Sequence, residues 1–184
     1  MIIIAGHTKK KMDYVCSIIP SEFNCIKIFN GVEKYPGAII TPNHHSGRDV
    51  DMYHKAMLTS DNNVFAFIND DIKYLGEQFW EEYKNFNSDI CGVGNLASWV
   101  DISKLSGWIY DKTLIQQKNQ KKVMFIRTAA FITTKEYFLK VFSSCNNVAQ
   151  KFEKNTLKFT SNYKLLNPED AYDTNIQNYV KKSS

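Results

Sequence analysis

The stretch Val64-Phe65-Ala66-Phe67-Ile68-Asn69-Asp70-Asp71 decides how this chain folds. Five apolar residues, β-branched and aromatic among them, are too few for a buried helix and suit a strand covered on both faces. The run then stops abruptly at polar and acidic residues. Working outward, Ile2-Ile3-Ile4-Ala5 is a similar run ending in Gly6, and Val123-Met124-Phe125-Ile126 is another. Shorter strands are expected over 24–29 and 38–41. Between them, apolar spacing predicts helices over 11–19, 49–58, 78–83 and 134–142, and Asn167-Pro168-Glu169-Asp170 opens a last one toward Val180. Residues 91–107 are punctuated by Gly and Ser and are expected to be rich in loops. Strands that are short and wholly apolar, alternating with helices, predict one α/β domain over 1–184, with a mainly parallel central sheet flanked by helices.

Composition narrows the function. The 184 residues are 43% apolar and 23% charged, the balance of a globular protein that needs no disulfide or structural metal. The net charge is +4, but Lys9-Lys10-Lys11, Lys121-Lys122 and Lys181-Lys182 are separate runs. That pattern argues against a nucleic-acid binder and suits a phosphate-bearing small molecule. Cys16, Cys25, Cys91 and Cys145 form no C-x-x-C pair and read as free thiols of a reducing compartment. No stretch approaches the roughly 18 apolar residues of a membrane span, and the run at the N-terminus is too short for a secretory signal. The expectation is a cytoplasmic protein without an integral membrane segment. Only Arg48 and Arg127 stand among many lysines, which marks them for sites that need a planar bidentate fork.

Ligands on parallel sheets sit beyond the carboxyl ends of the strands, which points to Gly6-His7-Thr8 and Asn69-Asp70-Asp71. Adjacent carboxylates at the end of a buried strand repel each other near a low-dielectric core. A divalent cation relieves that cost, because Mg²⁺ and Mn²⁺ take one or two carboxylates together with phosphate oxygens. Equally, Asp70 or Asp71 could cap a following helix. In Pro42-Asn43-His44-His45-Ser46-Gly47-Arg48-Asp49, Arg48 offers a fork for phosphate and Asp49 an acceptor for base or ribose. Ser46 or Asp49 could also cap the next helix. His44, His45, Asp51 and His54 match no zinc spacing. Trp99 and Trp108 could stack on a sugar or close a small core.

Three segments, in order along the chain, resemble landmarks of GT-A-fold glycosyltransferases. Residues 43–49 resemble the Asn-x-Gly-Arg-Asp stretch before a helix, and residues 65–71 the apolar strand that ends in the Asp-x-Asp metal motif. Residues 127–138 resemble the strand-turn-helix segment near the acceptor site. Pro168-Glu169-Asp170-Ala171-Tyr172-Asp173 is similar to the Glu-Asp pair before the last core helix. The resemblance implies a transferase that moves a sugar from a nucleotide-diphosphate donor, a UDP-sugar before a GDP-sugar, to a glycan or other hydroxyl acceptor. It implies that Asp71 holds Mn²⁺ or Mg²⁺ across the two phosphates, with Asp70 supporting metal or ribose. Gly6, His7 and Thr8 would lie under the base, while Arg48 and Asp49 would contact pyrophosphate and base or ribose. Arg127, which opens the segment near the acceptor site, and Asn69 would join them in binding the nucleotide-sugar. The departure is Asn69, an amide where the family has its first carboxylate.

Sugar transfer needs charge stabilised on the leaving diphosphate and a carboxylate to take the acceptor's proton. Asp170 or Glu169 is the carboxylate expected to do so, although Asn167-Pro168-Glu169-Asp170 is also a well-formed helix start. The same carboxylates would serve a metal-dependent phosphohydrolase or nucleotidyltransferase. A binding module that holds a nucleotide-sugar without turning it over is the third reading.

Overall fold

The computed structural model describes residues 1–40, 48–98, 122–145, 152–153, 155–157 and 159–166. The elements run β1 (Ile2–Gly6), α1 (Lys9–Ile18), β2 (Cys25–Phe29), β3 (Ala38–Ile40), α2 (Arg48–Met57), β4 (Val64–Asn69) and α3 (Glu77–Lys84). Then follow β5 (Ile90–Ser98), β6 (Lys122–Thr134), α4 (Lys135–Ser143) and β7 (Tyr163–Leu166). The strands form one seven-stranded sheet in the order β3-β2-β1-β4-β6-β5-β7. β1 pairs in parallel with β2 and β4, β2 with β3, and β5 with β7. β6 alone runs against its neighbours, antiparallel to both β4 and β5. The sheet is therefore mainly parallel, as the apolar runs predict.

Period-two alternation sends each strand's side chains to two separate cores. Ile2, Ile4, Ala66 and Ile68 pack on one face with Met12 and Val15 of α1 and Phe79 and Trp80 of α3. Ile3, Ala5, Phe65 and Phe67 pack on the other face with Val50 and Tyr53 of α2 and Phe138 and Val141 of α4. Phe67 lies at the centre of this second core, with its ring 4.9 Å from each of Tyr53, Phe131 and Phe138. Burying such a ring stabilises the fold by about 1.5–3 kcal/mol. Thr134 ends β6 and caps α4, its hydroxyl accepting from Tyr137 N at 3.1 Å.

Two expectations are corrected. Residues 90–98 form strand β5 where loops were expected, and glycine there serves packing. A Cβ on Gly92 would lie 2.5 Å from Ile126 Cγ2, so only glycine lets β5 approach β6. β6 also runs on to Thr134, eight residues beyond the apolar run, because Ala130 to Thr134 pair with β4. The expected helix after residue 167, Trp99, Trp108, His44 and His45 lie outside the described residues. Cys91 and Cys145 are buried and Cys16 and Cys25 half-buried, and the Cys145 thiol donates to Val141 O at 2.9 Å. No helix among the described residues is long and apolar enough to cross a membrane.

Candidate functional site

After β1 the chain adds β2 and β3 on one side, then returns to place β4 on the other. Strand order reverses between β1 and β4, and at such a reversal the connections leave in opposite directions and open a crevice beyond the strand ends. Gly6-His7-Thr8 leaves the end of β1, and Asn69-Asp70-Asp71 leaves the end of β4, joined by the pairing of Ala5 with Asn69. The turn after β2 closes in from the side: Asn30 N donates to Gly6 O at 2.9 Å. A Cβ on Gly31 would sit 2.7 Å from His7 O, so glycine permits that approach.

Asp70 is buried, with only 4% exposure, and its Oδ2 accepts from His7 N at 2.7 Å and Thr8 N at 3.1 Å. The capping role expected for this carboxylate therefore exists, but it serves the entry to α1 and not a helix after β4. Thr8, the N-cap residue of α1, makes no side-chain cap of its own, and α3 begins later, behind Gly76. Charge-assisted bonds of this kind are stronger than neutral ones, which holds the two strand ends together.

Beside it runs a second network. Asp49, in the first turn of α2, accepts from Asn69 Nδ2 at 3.0 Å through Oδ2 and meets His7 Nε2 at 2.7 Å through Oδ1. The Asp49 bond holds the His7 pKa above its ordinary value against the opposing effect of burial, and Asp49, Asp70 and Asp71 add their charges to the same end. The other end of the Asn69 amide accepts from Asp71 N at 3.2 Å. That bond turns Asp71 outward, where its half-exposed carboxylate pairs with Lys11 of α1. Lys9, Lys10 and Lys11 fill the first turn of α1, where the helix dipole disfavours cations unless anions lie close.

The donor set fits a divalent cation in one way. Asp70 Oδ2 is committed to two backbone donors, both ends of the Asn69 amide are committed and Asp71 Oδ1 is paired with Lys11, so Asp70 Oδ1 and Asp71 Oδ2 are the hard oxygens left to offer. No group of three or more His, Cys, Asp or Glu side chains is placed to hold a metal among the described residues. A cation here would therefore bring most of its ligands with it as phosphate and water.

The far wall is β6. Two steps along β5, from Gly92 to Gly94, match five along β6, from Ile126 to Phe131, so β6 bows out over Arg127, Thr128 and Ala129. Irregularities of this sort re-aim groups beside active sites. The last β4–β6 pair is Ile68 with Ala130, so Thr128 lies two residues further on, on the side where Asp70 follows β4. Thr128 N and Oγ1 both donate to Glu153 Oε1, at 2.9 and 3.0 Å, and Tyr53 Oη donates to Thr128 O at 3.0 Å. Burial pushes the Glu153 carboxyl up, and the charge of Asp49 adds to this. The Thr128 N–H and hydroxyl and the nearby Arg127 oppose it.

The structure thus brings together Gly6, His7, Thr8, Asp49, Asn69, Asp70 and Asp71, and sets Arg127 on the opposite wall. Arg48 opens α2 next to Asp49, but its side chain lies outside the described residues, as do Glu169 and Asp170. Glu153 and Lys11 are the site residues that sequence reading missed. For Lys11 the signal was the all-lysine start of α1; Glu153 had none.

No protein-family model and no curated protein sequence matches this chain. Among solved structures, the chain is similar to CMP:2-keto-3-deoxy-manno-octonic acid synthetase complexed with CTP. The TM-score is 0.55 at 10% identity, covering 91% of this chain and 88% of that one. It is also similar to a structure described as a glucose-1-phosphate thymidylyltransferase from Bacillus anthracis, solved with sucrose. There the TM-score is 0.51 at 12% identity, covering 99% and 94%. A glycosyltransferase involved in glycosylating the major capsid of PBCV-1 gives 0.45 at 14% identity, covering 91% and 81%. The likeness is one of fold: this chain has the α/β architecture of the first two proteins.

Proposed function

We propose that this chain transfers a sugar from a nucleoside-diphosphate donor, a UDP-sugar first among them, to a hydroxyl of a glycan or other acceptor. The observation that carries the reading is the reversal of strand order between β1 and β4, with Asp70 tied there to the backbone of His7 and Thr8 and Asp71 turned outward beside it. A nucleotide laid across β1 would place its base near Asn30, whose Oδ1 is buried without a hydrogen-bond partner and so suits a base N–H. Its diphosphate would lie between Asp71 and the lysines of α1. Mn²⁺ or Mg²⁺ held by Asp71 would neutralise charge developing on the leaving diphosphate. The order of the three GT-A-like segments supports glycosyl transfer in particular.

Nucleotidyl transfer is the second reading, favoured by the fold shared with a synthetase and a thymidylyltransferase of sugar nucleotides. The two differ in products: a nucleoside diphosphate leaves in glycosyl transfer, and inorganic pyrophosphate leaves when a nucleoside triphosphate meets a sugar phosphate. Calorimetric titration of UDP with Mn²⁺, and again with EDTA, tests the common core. Micromolar binding, about −8 kcal/mol, that needs Mn²⁺ and is lost in Asp71→Ala is the expected result. Silence of both UDP and GDP in either buffer would overturn the nucleotide site.

A further inference from the structure

The mechanism needs a carboxylate on the acceptor side, and the described residues offer one that no motif announces. Glu153 lies 25 residues beyond Thr128 in the chain, yet its Oε1 takes both donors of that residue. The bow in β6 makes this possible, because a Thr128 N–H held in a regular ladder could not turn to a side chain. Phe152 anchors the neighbouring position in the second core, its ring 5.1 Å from Phe138 and 5.7 Å from Phe131. Glu153 is therefore fixed by packing on one side and by two hydrogen bonds on the other. Tyr53 and Asp49 lie one turn apart on α2, and Tyr53 bonds Thr128, so α2 carries Asp49 toward the same wall. The carboxylate stands on the β6 side, with β4 between it and β1, where the diphosphate would lie.

We infer that Glu153 is the proton acceptor for the incoming hydroxyl, an assignment that rests on the transferase reading above. The acceptor O–H proton passes to the Glu153 carboxylate as the acceptor oxygen bonds to the anomeric carbon. The bond from that carbon to the diphosphate oxygen breaks, and its electron pair leaves on the nucleoside diphosphate. Glu153 then returns the proton to solvent. The groups that set its ionisation are Arg127 and Thr128 from β6 and Asp49 from α2, with His7 reaching it through Asp49 from the β1 side. A carboxyl raised by burial is a better base near neutral pH than an ordinary one.

The test uses the full chain, UDP-glucose and UDP-galactose, Mn²⁺, and water as the acceptor, with UDP release as the readout. Glu153→Gln keeps the size and an acceptor for Thr128. It should bind UDP as wild type does and lose roughly 10²–10⁴-fold in kcat. Thr128→Val removes one of the two Oε1 donors. It should move the acid limb of the kcat profile to higher pH while leaving the plateau within a few fold, a shift that a merely structural role would not give. Wild-type turnover in Glu153→Gln, or loss in Asp170→Asn with none in Glu153→Gln, overturns the assignment and leaves the transferase reading standing. A wild-type protein inert toward both donors overturns the two together. If Glu153→Gln does not fold, an unshifted acid limb in Thr128→Val is the overturning result.

Discussion

Lys11 and Asp71 form an ion pair that joins the first turn of α1 to the turn after β4, sixty positions apart in the chain. Both side chains are about half exposed, so solvent screens the pair and its worth is at most about 1 kcal/mol. The ammonium nonetheless sits on the more exposed carboxylate of the motif, which makes it a competitor for any divalent cation arriving there. Lys11→Met should therefore tighten Mn²⁺ binding to the nucleotide-free protein, by up to about fivefold on that energy scale. Asp71→Asn should remove the binding. Titration of free Mn²⁺ by electron paramagnetic resonance reads both. An unchanged or weaker affinity in Lys11→Met would show that the pair does not guard the site.

Asp70 should matter to stability before it matters to chemistry. Its buried carboxylate is the partner of two backbone donors at the start of α1. Asp70→Asn keeps the shape but replaces an anionic acceptor by a neutral one with a donor end facing N–H groups. A loss of about 1.5–3 kcal/mol in urea unfolding is expected, without a change in m-value. A stability within 0.5 kcal/mol of wild type would contradict the anchoring role.

His7 gives the fold a pH dependence whose sign is fixed. Its pKa is raised in the folded state, chiefly by the bond to Asp49, so the folded protein holds the proton more tightly than the unfolded chain. The resulting stability is fully present below about pH 6.5 and is lost as pH rises through the folded-state value. In EDTA buffer the melting temperature of wild type should exceed that of His7→Gln most at pH 5.5, and the gap should narrow by pH 8.5. NMR titration of the His7 ring should show the raised midpoint falling in Asp49→Asn. A midpoint that stays put in that variant would sink the account.

Gly92 is a packing glycine. The Cβ of Gly92→Ala would meet Ile126 Cγ2 at 2.5 Å and Phe131 Cβ at 3.0 Å in a closed core. Overpacking of that kind costs about 1–3 kcal/mol. Thermal melts should show the loss, and adding Ile126→Ala should recover part of it. Additive losses in the double variant would mean that the contact is not the cause.

The strands that were legible are those buried on both faces. Ile2-Ile3-Ile4 and Val64-Phe65-Ala66-Phe67-Ile68 declare themselves because each face of the sheet demands an apolar side chain. β5 was not legible, since Gly92 answers to the bulk of Ile126, a residue far along the chain. β7 was missed for a different reason: it is an edge strand with Tyr163 exposed, and only Leu166 is buried. Gly6, His7, Thr8, Asn69, Asp70 and Asp71 could be paired in advance because parallel strands bring their carboxyl ends together. Nothing in the spacing brings Lys11 to Asp71 or Glu153 to Thr128; those meetings follow from how α1 and the bow of β6 lie on the sheet.

Asn69 has a further meaning. Its amide donates to Asp49 and accepts from Asp71 N, and a carboxylate at this position could do only the second. An aspartate at 69 would set two negative oxygens against each other across the bond that now holds α2 to β4. The order of change at positions 49 and 69 therefore matters: Asp49→Asn still offers an amide oxygen to Asn69 Nδ2, and Asn69→Asp is expected to cost less once that amide is in place. An all-acidic triplet is thus reached at less cost through position 49 first than through position 69 first, because only the second order passes through two facing carboxylates.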